Sequence, residues 1–262
     1  MLIATWNING VKARLDNLIA WLDERSPDVA CLQEIKSVDE AFPRAALEAK
    51  GWHVETHGQK GFNGVALISR KPPLEGSVAR GLAGDDTDEH ARFIEAIYDG
   101  ESGRVRVASL YLPNGNPLGT EKFDYKLRWM ARLEAHARVR LSEELPFVLT
   151  GDYNVIPQPE DARNPSAWTG DALFQPESRG AMRRLVNLGF TEALRAASDA
   201  PDIYTFWDYQ AGAWQKNNGI RIDHALLSPE ASSRLRGVGI DAHVRGWEKP
   251  SDHVPLIVDL AA

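Results

Sequence analysis

The sequence predicts a layered α/β protein, with sheet inside and helices outside, built as a single domain over residues 1–262. Two observations carry this expectation. Short β-branched or apolar runs (LIATWNI, DVACLQ, GVALIS, VRVASLYL and FVLTGD) alternate with longer stretches whose apolar residues recur at helical spacing. A chain with 43% hydrophobic residues can bury a large core, and no repeat, low-complexity tract or linker-like segment divides it.

The elements follow in order. The first run, LIATWN, reads as a strand, and Leu15, Leu18, Ile19 and Leu22 then fall at i, i+3, i+4 and i+7, which predicts an amphipathic helix over roughly residues 11–24. Further helices are expected over about 120–141 and 177–188. Segments rich in Gly, Pro, Asn and Asp predict loops over 81–89, 113–119, 157–170 and 210–219. The last strand-like segment, HVPLIVDL, runs almost to the C-terminus.

No apolar stretch approaches the roughly 18 residues that a membrane span needs. The N-terminal MLIATWNING has neither the basic nor the apolar region of a secretion signal and reads as a first strand. Cys31, the single cysteine, has no internal partner, and within DVACLQ it reads as a small core residue. A cytoplasmic, reducing location without membrane contact is the expectation. The net charge of -7, from 30 basic and 37 acidic residues, speaks against a nucleic-acid binder that relies on overall basicity. Carboxylates gathered round a cation and local basic patches both soften that objection.

Polar residues recur where strand-like runs end. Asn7 closes IATWN, Glu34 closes VACLQE, Tyr111 lies in SLYLP, and Asp152 and Asn154 close FVLTGDYN. Asp223 lies in IRID, and Asp252 and His253 open SDHVPL. In a layered α/β protein, strand ends can converge on one edge, where loops build a site on a rigid scaffold, and several carboxylates meeting there need a cation.

Each residue has two readings. Glu34 is an exposed or helix-capping acid, or a ligand for a hard cation such as Mg²⁺. Asp152 and Asn154, two apart, form an Asx turn, or on an extended backbone point to one face as a base beside a neutral phosphate donor. A buried Asp bonded to His253 would fix its tautomer and favour its cation. Tyr111 is a core or rim residue, or a donor to phosphate with Asn114 as a second. The other histidines read as structural or surface groups; His224 points away from Asp223 on an extended segment.

Taken in this order, WNING, LQEIK, YLPNG, GDYN, RIDH and SDHVP resemble the exonuclease III family of abasic-site endonucleases, from first strand to last. The resemblance implies the DNase I-like fold, a four-layered α/β sandwich of two packed mixed sheets flanked by helices. It implies a Mg²⁺ cofactor, with Mn²⁺ as substitute, held by Glu34 with Asp252 close and Asn9 at the margin. Asn7 would hold the attacking water or the phosphate, Asp152 would orient or deprotonate the water, and Asn154 and Tyr111 would contact the scissile phosphate. Asp223 and His253 match the family's Asp–His pair. The implied reaction is hydrolysis 5′ of an abasic site in duplex DNA, leaving a 3′-hydroxyl and a 5′-deoxyribose phosphate, with 3′–5′ exonuclease and 3′-end cleaning.

For the substrate, Phe206, Ile220 and Ile222 fall on the positions of the family's abasic-sugar pocket, with Trp207 expected in the core. Asn164 in DARNP matches a loop that approaches the DNA, and Arg163 is expected to pair with Asp161. Lys216, Asn217, Asn218 and Arg221 make a donor-rich stretch suited to phosphate. A monomer acting on duplex DNA with abasic sites or blocked 3′ ends is expected. The alternatives are a paralogue specialised for 3′ blocks, a phosphatase of phosphorylated lipids, and a non-catalytic nucleic-acid-binding module that kept the fold.

Overall fold

The computed structural model describes residues 1–261. The first six strands are β1 (Leu2–Asn7), β2 (Val29–Gln33), β3 (His53–His57), β4 (Val65–Ser69), β5 (Ala79–Arg80) and β6 (Phe93–Gly100). The remainder are β7 (Gly103–Tyr111), β8 (Phe147–Asp152), β9 (Thr191–Glu192), β10 (Asp223–Leu227), β11 (Leu235–Ile240) and β12 (Leu256–Leu260). They form two six-stranded mixed sheets, ordered β11-β12-β1-β2-β4-β3 and β5-β6-β7-β8-β10-β9. Among the described residues only β1–β2 and β7–β8 pair in parallel.

The alternation of β1 explains the layers. Ile3 packs between the sheets with Val29, Cys31, Ile94 and Val107, while Ala4 and Trp6 face outward beneath a helix. That helix, α1 (Leu15–Arg25), buries Leu18, Trp21 and Leu22 on this outer face and ends where Ser26 turns left-handed at φ 46°. The expectation of 11–24 is met, with Lys12–Arg14 as a tighter 3-10 turn ahead of it. After the short α2 (Arg44–Glu48), α3 (Glu121–Leu141) and α4 (Pro176–Val186) cover the other sheet with Trp129, Met130, Leu133, Met182 and Leu185. Thr120 caps α3 by accepting a bond from the Lys122 amide, and Glu121 and Arg140 place charge favourably at its two ends. The result is the predicted four-layered α/β sandwich. Cys31 is buried between the sheets as expected, and no helix among the described residues is long and apolar enough to cross a membrane.

Strand direction positions the site. The parallel pairs bring the C-terminal ends of β1, β2, β7 and β8 to one edge. The antiparallel β10 begins there, with Asp223 opposite Asp152, and His253 lies just before β12, the antiparallel neighbour of β1. Side chains from both sheets therefore meet at one end of the sandwich.

Candidate active site

At that end a cavity of about 170 Å³ is lined by Glu34, Tyr111, Asn114, Asp152, Asn154, Phe206, Ile220, Ile222, Asp252 and His253. Asn7 lies beneath it, fully buried, and joins the two sheets: its Nδ2 donates to Glu34 Oε1 and to Asp152 Oδ2, each at 2.9 Å. Both amide protons are thereby used. Asn7 fixes two carboxylates and does not present a free donor to water or phosphate, which corrects the role the resemblance implied.

Asp152 closes β8, but the backbone does not continue extended. Asn154 is left-handed at φ 47°, and Asp152 Oδ1 accepts its amide proton at 2.9 Å. The Asx turn is present and uses one carboxylate oxygen, while the other faces Asn7 and His253. Tyr153 points into the opposite core, as the alternation requires.

His253 Nδ1 lies 2.8 Å from Asp223 Oδ2, and its Nε2 is 3.8 Å from Asp152 Oδ2. Burial alone would lower the imidazole, but Asp223 and Asp152 outweigh it and push it up to about 10. Burial, reinforced by Asp223, pushes the Asp152 carboxyl up to about 7 against the opposing pull of His253 and Asn7. Burial also holds the Tyr111 phenol well above its ordinary value, with Glu34 and Asp152 adding to the effect, so Tyr111 is a donor. The backbone around His253 is held by Trp6, whose indole donates to the His253 carbonyl at 3.0 Å, and by Ser251, whose hydroxyl donates to the Asn7 carbonyl at 2.7 Å.

Two groups of carboxylates are candidates for a metal. Asp152, Asp223 and His253 offer ligand atoms within 4.8 Å of one another. That triad is already satisfied as an ion pair, with a cationic ring between two acids, and a further cation there would face the imidazolium. Glu34 and Asp252 instead present oxygens to the cleft. Burial works against the charge of Glu34, but the Asn7 amide and the Lys36 ammonium, 3.0 Å from Oε2, hold its carboxyl below the usual range. A pair of hard oxygen donors at a cleft mouth fits a divalent ion. Asn9 does not add a ligand in this arrangement: its Oδ1 accepts from Lys36 and its Nδ2 donates to Asp252.

Phe206, Ile220 and Ile222, the residues expected at a sugar pocket, lie together on the cavity wall. Phe206 bridges to both Ile220 and His253, with its ring edge-on to the imidazole at 5.0 Å, and Trp207 is in the core. Arg221 departs from the reading. It is buried, its Nε bonded to Asp161 and its Nη1 to Glu192, both at 2.9 Å. In an extended segment whose neighbours Ile220 and Ile222 face the pocket, residue 221 must face away. The donor-rich stretch contracts accordingly: Asn217 accepts from the Trp207 indole, and Lys216 folds back onto the Ala211 carbonyl. Arg163 pairs with Asp202 rather than Asp161, whose carboxylate is taken by Arg195 and Arg221. Asn164 is exposed, accepts a bond from the Ser166 hydroxyl and lies outside the cavity lining.

Sequence reasoning missed Lys36, Trp168, Asp171 and Leu173. The last three line the cavity from the 157–170 loop and its continuation, which holds two 3-10 turns. Lys36 lies within the LQEIK motif, so a signal for it was present; no spacing rule marks the others.

The chain matches the model of the Endonuclease/Exonuclease/phosphatase family over residues 4–253. It is 37% identical over 264 residues to exodeoxyribonuclease III of Haemophilus influenzae, covering 98% of each chain. The chain belongs to the exonuclease III family. Solved structures of family members agree: an AP endonuclease from Archaeoglobus fulgidus superimposes with a TM-score of 0.94 at 36% identity, covering all of both chains. A 3′ phosphatase from Neisseria, bound to product DNA hairpin, gives a TM-score of 0.95 at 36% identity with the same coverage.

Proposed function

We propose that this exonuclease III family member hydrolyses the backbone 5′ of abasic sites in duplex DNA, and that the same cleft acts as a 3′–5′ exonuclease and trims blocked 3′ ends. The observation that carries this reading is the adjacency, in one cavity, of a phosphate-handling cluster (Asp152, His253, Tyr111, Asn154) and an apolar wall (Phe206, Ile220, Ile222). A sugar without its base can enter such a pocket at little cost, since no base has to be unstacked.

In this mechanism Asp152 accepts the proton of the attacking water, its raised affinity for protons matching a base that works near neutral pH. Asn7 keeps that carboxylate and Glu34 in register across the two sheets. His253, charged and oriented by Asp223, donates from Nε2 to a phosphoryl oxygen, and the Tyr111 hydroxyl and the second amide proton of Asn154 donate to others. Glu34 and Asp252 would hold Mg²⁺, or Mn²⁺ in its place, which when bound supplies Lewis-acid stabilisation to the phosphate and the leaving oxygen. The products are a 3′-hydroxyl and a 5′-deoxyribose phosphate. The protein acts as a cytoplasmic monomer on duplex DNA.

The test is incision of a labelled duplex carrying one tetrahydrofuran analogue, with Mg²⁺ and with EDTA, beside a duplex with a 3′-phosphate. Cutting 5′ of the analogue that needs metal and is lost in Asp152→Asn supports the reading. Removal of the 3′ block without incision assigns the chain to the specialised 3′ enzymes, and inactivity on both substrates removes the nuclease reading.

A further inference from the structure

Lys126 is a fully buried lysine on α3 that the mechanism above does not use. Its Nζ donates to the carbonyl of Asn114 at 3.0 Å and to the carbonyl of Asn154 at 2.5 Å. Those residues lie on separate loops, beyond the ends of β7 and β8, and both side chains line the cleft. The two amides are also joined, Asn114 Nδ2 donating to Asn154 Oδ1 at 3.1 Å and Asn154 Nδ2 donating to the Leu112 carbonyl at 3.0 Å. This order of donors fixes which way each amide faces.

The neighbourhood is shaped to admit the lysine stem. Gly115 is left-handed at φ +89°, and a Cβ there would lie 2.7 Å from Lys126 Cδ and 3.2 Å from Ala172 Cβ. An ammonium withdrawn from water costs several kcal/mol, which an apolar side chain in the same helix position would not. Burial accordingly lowers the lysine to about 7, with Asp152 and Asp171 opposing that fall. The costly group is in place because it joins two carbonyls that no apolar side chain could hold. The carbonyl of a left-handed residue such as Asn154 points off the line of the preceding strand, so it needs a partner outside the sheet.

We propose that Lys126 is a positioning residue for phosphate recognition: through the main-chain carbonyls of Asn114 and Asn154 it fixes the placement of both amides in the cleft. The proposal rests on the nuclease reading. A displacement of about 1 Å at such a contact is worth roughly 100-fold in rate, so the effect is readable in turnover.

The experiment is a double-mutant cycle on the full chain with the tetrahydrofuran duplex, comparing wild type, Lys126→Met, Asn154→Ala and the double variant. Lys126→Met is expected to lower kcat about 100-fold with KM within about threefold, and to cost only about tenfold more once Asn154 is already alanine, the remainder acting through Asn114. Lys126→Arg, which keeps charge and donors, should recover at least about tenfold of that loss. Gly115→Ala strains the same bond from the other side without removing a buried charge. It should lower kcat about tenfold, and by less once Asn154 is alanine, and it carries the test if Lys126→Met does not fold. Wild-type turnover in Lys126→Met, or an equal loss with and without Asn154, overturns the proposal. An inactive wild type instead removes the nuclease reading, and this proposal with it.

Discussion

The imidazole of His253 and the carboxylate of Asp223, thirty residues apart in the chain, meet at 2.8 Å in a place closed to solvent. Their register comes from two different strands, β10 and the approach to β12, so only a correctly closed sandwich can form the pair. With its proton affinity raised from 6.5 to about 10, the imidazole stays cationic through neutral pH. The stabilisation it contributes is fully present below pH 6.5 and is lost as pH rises through about 10.

Asp223→Asn should therefore bring the alkaline loss of activity to lower pH and reduce kcat about 100-fold, as the donor to phosphate loses its charge. A ¹⁵N NMR titration of the His253 ring checks this directly. A midpoint unchanged from wild type would show that Asp223 does not hold the charge.

Asp152 gives the acid limb. A base whose carboxyl is raised to about 7 is half-protonated there, so kcat/KM should fall as pH drops below about 7. In Asp152→Asn the rate should fall by at least about 100-fold, and the residual activity should lose that limb. A residual profile that still bends near pH 7 would assign the limb to another group.

Glu34→Gln should weaken metal binding about 10- to 100-fold while leaving the fold intact, because it removes the charge that Asn7 and Lys36 keep ionised. Electron paramagnetic titration with Mn²⁺ reads the binding without reference to activity. An unchanged Mn²⁺ affinity would move the metal site away from Glu34, with the Asp152–Asp223–His253 group as the next place to look.

Arg221→Met tests whether that residue serves structure rather than DNA. It removes the cation shared by Asp161 and Glu192 and leaves Asp161 to Arg195 alone, and a broken buried pair costs up to about 3–5 kcal/mol. Urea unfolding should register this loss, while the salt dependence of DNA binding stays as in wild type, since no phosphate contact is removed. A shallower salt slope would restore Arg221 to the DNA-contacting surface.

Much of the site was legible because strand ends carry it. Glu34, Tyr111, Asp152, Asp223 and His253 each sit where an apolar run stops, and one edge of the sandwich collects them. Asn154 was legible in identity but not in geometry, because a left-handed residue after a strand leaves no periodic trace. Arg221 was misread because a basic residue in a loop-like segment looks exposed until its acidic partners, Asp161 and Glu192, are seen to lie behind it. Lys126 was not legible at all: in a helix with several lysines and arginines, nothing local distinguishes the one that turns inward.

The sequence by itself determined the layering, a helix over roughly residues 11–24, the buried Cys31 and the set of residues available for chemistry, since these follow from periodicity and from turn preferences. Only the tertiary structure decided which of those residues touch. That Asn7 spans Glu34 and Asp152, that Arg221 is a structural ion and that Lys126 ties two loops are facts of long-range packing. They depend on which carboxylate or carbonyl is brought within hydrogen-bond reach, and chain-distant proximity has no signature in the order of residues.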